Sequence, residues 1–260
     1  MVVFFDIDGT IVDNDSQIIP ASAREAIRLL GENGHIAVVN TGRPYSHIDP
    51  RVRQLPFRGW ICGCGMDVRL DGRQIFYTHP EPALCRFAIE NARQYGMEAL
   101  FEADDGSIVL ACMDSVHPFL AREREQMKKK GFSVFRVEEH PDFMKMVTWD
   151  TPSSRRKEYM EVMGDKFTLI ERENNMLEHV PLGCSKAEGM KKLLEAVGAS
   201  EEDALAIGDS TNDLPMFSVA RHTVCMGGGM EALKREAEFV TAPVLEDGIE
   251  KALRHYGLIP

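Results

Sequence analysis

The chain has 260 residues, 44% of them hydrophobic and 27% charged, enough to bury a sizeable core in one large or two modest domains. Lys and Arg number 30 against 41 Asp and Glu, and the formal net charge of −11, with no basic stripe interrupting it, argues against nucleic acid as a partner. No run of about 20 apolar residues occurs, and the apolar start at residues 1–5 meets Asp6 too soon for a signal-peptide core, so no membrane partner is expected and the chain reads as cytoplasmic.

Residues 2–5 form a short, uninterrupted apolar run, the pattern of a strand buried on both faces of a parallel sheet, and it ends on Asp6. Ser22-Ala23-Arg24-Glu25 reads as a capping box, with Ala23, Ala26, Ile27 and Leu30 on one helical face and Gly34 as a stop. A second buried strand at 36–39 runs into Asn40-Thr41-Gly42-Arg43, and a strand-like stretch at 60–62 precedes a hairpin around Asp71-Gly72. The pattern changes near His79-Pro80. Residues 82–181 read as helix 84–95, strand 108–112, helix 116–130, strands 132–137 and 145–149, helix 155–163, and strands 167–170 and 176–180. The basic residues Arg122, Arg124, Lys128, Lys129 and Lys130 alternate there with Glu123 and Glu125, as on a solvated helix face.

The first pattern then resumes. Ser185-Lys186-Ala187-Glu188 is a second capping box, with Met190, Leu193, Leu194 and Val197 on one face and Gly198 at the end. A buried strand at 204–207 ends on Gly208-Asp209-Ser210-Thr211-Asn212-Asp213; strands at 223–226 and 239–241 and a helix at 248–256 follow. Repeated strand-then-helix order predicts an α/β fold with a doubly wound, mostly parallel, Rossmann-like core carrying an inserted smaller α/β domain. The predicted core comprises residues 1–80 and 183–260, and the insertion residues 81–182.

Three polar clusters, around Asp6, Thr41 and Asp209, fall just past predicted buried strands, and Lys186 opens a helix. Strand ends are neighbours in a parallel sheet, so Asp6, Asp8, Thr41, Asp209, Asp213 and Lys186 are expected around one crevice. Four carboxylates there would repel one another unless a cation sits among them, and oxygen ligands without His or Cys suit Mg²⁺. Lys186 opposes its own helix dipole, which makes sense where it shares a bound phosphate with the helix amides; a solvated lysine paired with Glu188 is the plainer alternative. Thr41 offers a hydroxyl, Gly42 lets backbone amides approach an anion, and Arg43 adds a bidentate donor, although Thr-Gly-Arg alone is usually just a turn. The six cysteines, Cys62, Cys64, Cys85, Cys112, Cys184 and Cys225, read as reduced thiols, and Cys62-Gly63-Cys64 lacks the further ligands zinc needs.

Together these clusters resemble the four motifs of the haloacid dehalogenase superfamily: Asp6-Ile7-Asp8-Gly9-Thr10, Thr41-Gly42-Arg43, Lys186, and Gly208 to Asp213. The insertion between the second and third resembles the large α/β cap of its Cof-type phosphatases. The resemblance implies a Mg²⁺-dependent hydrolase of small phosphate esters, sugar phosphates or related metabolites, with a cap that closes over the site. It implies Asp6 as nucleophile forming an aspartyl-phosphate and Asp8 as the acid and then the base. It further implies metal ligands from Asp6, the Asp8 carbonyl and Asp209, with Asp213 assisting or orienting them, and phosphoryl contacts from Thr41, Lys186 and Asn212. A phosphosugar mutase on the same site, and a non-catalytic protein that senses a phospholigand or binds a partner, are the competing readings; protein partners stay open. Where many Cof-type members carry Asn-Gly after the third core strand, this chain has Cys64-Gly65. Lys145, Glu138, Glu139, His140, Asp104 and Asp105 are candidates for contacting the leaving group.

Overall fold

The structure is a computed structural model that describes residues 1–110, 121, 125, 128–129, 131, 133–139, 141–172 and 175–260. The chain divides into two compact units, one of residues 1–42, 48–77 and 185–260, the other of residues 43–47 and 78–184. The chain therefore passes between the units four times.

In chain order the first unit begins with β1 (Val2–Phe5), α1 (Ala21–Glu32), β2 (Ile36–Asn40), β3 (Gly59–Cys62), β4 (Asp67–Leu70) and β5 (Arg73–Tyr77). The second unit contributes α2 (Pro82–Gln94), β6 (Glu98–Glu102), β7 (Ile108–Leu110), β8 (Val134–Arg136), β9 (Lys145–Trp149), α3 (Arg156–Gly164), β10 (Phe167–Glu171) and β11 (Leu177–Pro181). The first unit resumes with α4 (Lys186–Val197), β12 (Ala204–Gly208), β13 (His222–Cys225), β14 (Phe239–Val240) and α5 (Gly248–His255).

The first unit is built on an eight-stranded sheet of order β14-β13-β12-β1-β2-β3-β4-β5. The six strands from β14 to β3 are parallel; β4 and β5 form an antiparallel hairpin. The hairpin turns at Asp71 and Gly72, both with positive φ (48° and 76°), the two-residue turn that matches strand twist. Residues 2–5 are buried throughout because the sheet is covered on both faces: Val2 and Phe4 pack with Met190, Leu193 and Leu194 of α4, while α1 lies against β2 and α5. The sheet order reverses beside β1, whose neighbours are β12 on one side and β2 on the other, so the carboxyl ends of these three strands converge at a switch point.

The capping box expected at Ser22 to Glu25 does not form. Helix α1 starts two residues earlier, behind Pro20, and Glu25 turns to the Arg28 guanidinium. At α4 only half of the box forms. Ser185 Oγ accepts the Glu188 amide at 3.0 Å, but the Glu188 carboxylate pairs with Lys191 at 3.0 Å. Gly198 then ends α4 in the left-handed conformation.

The second unit carries a six-stranded sheet of order β10-β11-β9-β6-β7-β8, antiparallel except for β7 with β8. Strand β6, which no pattern in the sequence announces, is one of the two central strands of this sheet and pairs with both β7 and β9. The expected helix 116–130, Cys112 and His140 fall outside the described residues, in the helix's case for most of its length. Helices α2 and α3 cover one face through Ala88, Ala92, Tyr159 and Met163, packed on Phe101, Met146 and Leu177. Residues 43–47 belong to this unit through His47, whose Nε2 lies 3.2 Å from the Ala103 carbonyl oxygen at the β6–β7 turn.

A histidine sits inside this core. His179 is 2% exposed, with Nε2 2.9 Å from the Tyr159 hydroxyl, and burial pushes its pKa down to about 4 against weaker opposition from its backbone contacts and Glu178. A depressed histidine binds its proton later in the fold than in the unfolded chain, so the stability it lends is present above about pH 6.5 and drains away as pH falls toward 4. The loss is on the order of 3 kcal/mol. Trp149 is buried in this unit and Trp60 in the other, so in a Trp60→Phe protein the emission of Trp149 reports this transition. His179→Gln is expected to move the acid midpoint downward; an unchanged midpoint would dismiss His179 as its origin.

Candidate active site

The site grows from the turn that follows β1. The Asp6 amide still donates to the Ile207 carbonyl at 3.0 Å, the last ladder bond with β12, and the chain then folds back so that the Ile11 and Val12 amides both reach the Ile7 carbonyl at 2.9 Å. Gly9 makes that turn with φ +77°, and a Cβ there would stand 2.3 Å from Asp209 Oδ2. Gly208 has the same office on the neighbouring strand, where a Cβ would fall 2.4 Å from Asp213 Oδ2. Both positions thus clear space for carboxylates.

Asp213 ends a short turn opened by Ser210. Its Oδ2 accepts the amides of Asp209 at 3.0 Å and Ser210 at 3.2 Å, and its Oδ1 accepts from Lys186 Nζ at 2.6 Å. The same ammonium donates to Asp6 Oδ1 at 2.6 Å. Lys186 is 1% exposed, so it is not the solvated partner of Glu188 that the sequence also allowed. Burial opposes its charge, but the two carboxylates outweigh burial and hold its pKa above the ordinary lysine value. Asp6 moves upward too. Burial pushes it to about 7, with repulsion from Asp213 and Asp8 adding to the shift and Lys186 resisting it.

One carboxylate oxygen from each of Asp6, Asp209 and Asp213 lies within 4.8 Å of the other two. This all-oxygen set suits a hard divalent cation, and because burial holds the Asp6 carboxyl above its ordinary pKa, its ionised form is one that a further cation would stabilise. Thr41 follows β2 and is 2% exposed, its amide bonded to the Ile61 carbonyl at 2.8 Å. Asn212 is buried, with Oδ1 accepting from Ser210 Oγ at 2.8 Å.

The profile of the haloacid dehalogenase-like hydrolase family matches residues 3–253. The chain belongs to this family. The protein named "Putative phosphatase YkrA" of Bacillus subtilis (strain 168) is 30% identical over 279 residues, 99% of this chain and 98% of its own. The 5-amino-6-(5-phospho-D-ribitylamino)uracil phosphatase YcsE of the same organism is 26% identical over 263 residues, 99% of this chain and 96% of its own. Among solved structures, the HAD subclass IIB sugar phosphatase BT4131 superposes with a TM-score of 0.82 at 25% identity over 99% of both chains. BT1666 of Bacteroides thetaiotaomicron, at 22% identity, shares the fold with a TM-score of 0.85 over 99% of this chain and 95% of its own.

Within the haloacid dehalogenase-like frame, the structure brings Asp6, Lys186, Asp209 and Asp213 into one cluster, with Asp8 two residues beyond Asp6 on the same turn and Thr41 and Gly42 at the end of the adjacent strand. Arg43 is grouped with the other unit. Cys64, where many Cof-type members carry Asn, is buried in a left-handed conformation (φ 53°) that suits Asn better, and its amide donates to the Thr41 carbonyl at 3.1 Å. The five described cysteines form no disulfide with one another. Of the residues named for the leaving group, Lys145 pairs with Glu178 at 3.3 Å, Glu138 with Arg93, Glu139 with the Arg136 amide and Asp105 with Ser107, while Asp104 is exposed. Among the described residues, no helix is long and apolar enough to cross a membrane.

Two features of the site escaped the sequence reading. The close approach at Gly9 depends on Asp209, distant in the chain, and that at Gly208 on the turn that brings Asp213 back over it; Gly beside a strand-end Asp is the sequence signal of such crowding. Asn40 looks in the sequence like no more than the end of a strand, yet a buried amide at the last position of an otherwise apolar strand is itself unusual.

Proposed function

We propose that the chain is a Mg²⁺-dependent phosphomonoester hydrolase acting on small phosphorylated metabolites through an aspartyl-phosphate on Asp6. The observation that carries this reading is the Lys186 ammonium, buried and held at 2.6 Å from both Asp6 and Asp213 beside the three-carboxylate cluster. A buried cation and a divalent metal together make a pocket for a phosphoryl dianion in a protein of net charge −11.

In this reading an Asp6 carboxylate oxygen attacks phosphorus as the ester P–O bond breaks, and Asp8, as the acid, protonates the departing alkoxide. Asp8 then takes a proton from water, whose oxygen attacks the aspartyl-phosphate; phosphate leaves and the Asp6 carboxylate is regenerated. Lys186, Thr41 and Asn212 hold the transferring oxygens, with the Gly42 amide and the Arg43 guanidinium as further donors. Asp6, the Asp8 carbonyl and Asp209 would hold the magnesium, and Asp213, whose two oxygens already serve Lys186 and two amides, orients them. The cation lowers the Asp6 pKa and screens the approach of one anion to another.

Residues 81–182 act as the cap that selects the leaving group. Sugar phosphates and polyol phosphates are the preferred class, since the named relatives include a sugar phosphatase and a phosphatase of a 5-phospho-D-ribityl compound. The enzyme works in the cytoplasm, without nucleic acid or membrane as partner.

Hydrolysis of p-nitrophenyl phosphate is the direct test. Turnover should vanish with EDTA and return with added magnesium. Activity indifferent to chelation would defeat the reading, as would magnesium binding with no turnover across a broad panel of phosphate esters.

A further inference from the structure

We propose that Asn40 is a positioning residue that fixes Lys186 relative to Thr41, and so sets the geometry of the phosphate pocket. This rests on the role given to Lys186 above. Asn40 closes β2, is fully buried, and donates from Nδ2 to the Lys186 carbonyl oxygen at 3.0 Å across 146 residues of sequence. Its orientation is determined by that contact, because the flipped amide would set oxygen against oxygen.

Residues 36–39 ahead of it are apolar, and an aliphatic side chain would continue the pattern. The amide is instead only half satisfied: Oδ1 is buried with no hydrogen-bond partner among the described residues. A buried acceptor in that state costs stability, so the fold alone gives no reason for an asparagine here. The Lys186 carbonyl does not need it either, since a first-turn carbonyl accepts an amide within its own helix.

What the bond does is local and specific. Lys186 is the first residue of α4, and its side chain spans two carboxylates at 2.6 Å. Ser185 secures the turn through the Glu188 amide, one residue before the lysine and two beyond it. Asn40 holds the lysine residue itself, and it is joined by a peptide bond to Thr41. One side chain thereby sets the spacing between the two groups assigned to the phosphoryl oxygens, and without it α4 can rock on its cap. An error of a fraction of an ångström in such a donor is enough to weaken transition-state contacts.

The test is Asn40→Ala in the full chain, with kcat/KM on p-nitrophenyl phosphate, inhibition by inorganic phosphate, magnesium affinity and Tm measured together. A fall of about tenfold in kcat/KM and a similar weakening of phosphate binding are expected, the worth of one well-placed buried hydrogen bond. Magnesium affinity should fall by much less than phosphate affinity, because Lys186 reaches the proposed metal ligands through Asp6, while Asp209 and the Asp8 carbonyl are set by other turns. A merely structural asparagine would loosen metal and phosphate binding together with Tm, and that result would overturn the proposal. The same substitution in a Lys186→Met background at saturating magnesium should add nothing to the loss of phosphate affinity, whereas an equal, additive loss would also overturn it. Phosphate affinity untouched by Lys186→Met alone would instead bring down the role of the lysine. Should that double variant fail to fold, the split between magnesium and phosphate affinity in Asn40→Ala decides.

Discussion

On the role proposed for Asp6, Asp6→Asn is expected to lower kcat by roughly 10⁴- to 10⁶-fold while leaving the protein folded, since a carboxamide cannot form the acyl phosphate. The structural side of this expectation comes from the pKa of Asp6. A carboxyl raised to about 7 is one whose ionised form is held at a cost in the fold, so the neutral amide removes a strain at pH 8 that protonation already removes at pH 5. The sign follows: the variant should lose no thermal stability relative to the parent at pH 8, and any gain should shrink as the pH is lowered through 7. Calorimetric scans at the two pH values, alongside single-turnover assays, check both halves. Residual turnover within tenfold of the parent would remove Asp6 from its role.

Lys186→Met carries the second large effect, and there stability and activity fall together. The ammonium is the shared partner of Asp6 and Asp213, and all three groups are buried. Taking the cation away leaves two carboxylates facing each other out of water, a change that costs about 3–5 kcal/mol when a buried charge loses its partner. A divalent cation bound among the same carboxylates offsets part of that loss. The Tm of Lys186→Met should therefore rise more steeply with magnesium concentration than the parent's, by the mass-action law for a ligand that binds only the folded state. Turnover should stay about 10²- to 10³-fold below the parent even at saturating magnesium, as when one preorganised transition-state donor is removed. Equal magnesium responses in the two proteins would show that the lysine and the metal do not share the carboxylates.

Much of the first unit was open to inference from the sequence because a strand covered on both faces has to be an unbroken apolar run. Residues 2–5, 36–39 and 204–207 have no other economical reading, and each ends on the polar residues that the sheet then gathers. Strand β6 was invisible for the opposite reason. Glu98 and Glu102 bracket Ala-Leu-Phe in a stretch whose local preferences lean toward helix, and only pairing with β7 and β9 makes it a strand. The antiparallel order of the second sheet is likewise set by partners, not by pattern. At the site, Lys186 could be singled out because it works against its own helix dipole, a conflict visible in the sequence. Its two carboxylate partners, and the space that Gly9 clears for Asp209, arise from approaches between segments up to about 200 residues apart. No local pattern encodes these.

The short segment Arg43–His47 has a consequence for how such enzymes diversify. It lies between two stretches of the first unit yet belongs to the second, tied there by His47 at the Ala103 carbonyl. The second unit is therefore not a cassette bounded by two splice points. Grafting residues 78–184 onto a related core would strand the donor's β6–β7 turn without its histidine, and would leave the recipient's own five residues facing a turn they were not shaped for. A second unit transplanted into this scaffold has to bring the five residues after Thr41-Gly42 along with the insertion, so exchange by recombination at two points is disfavoured relative to gradual change in place.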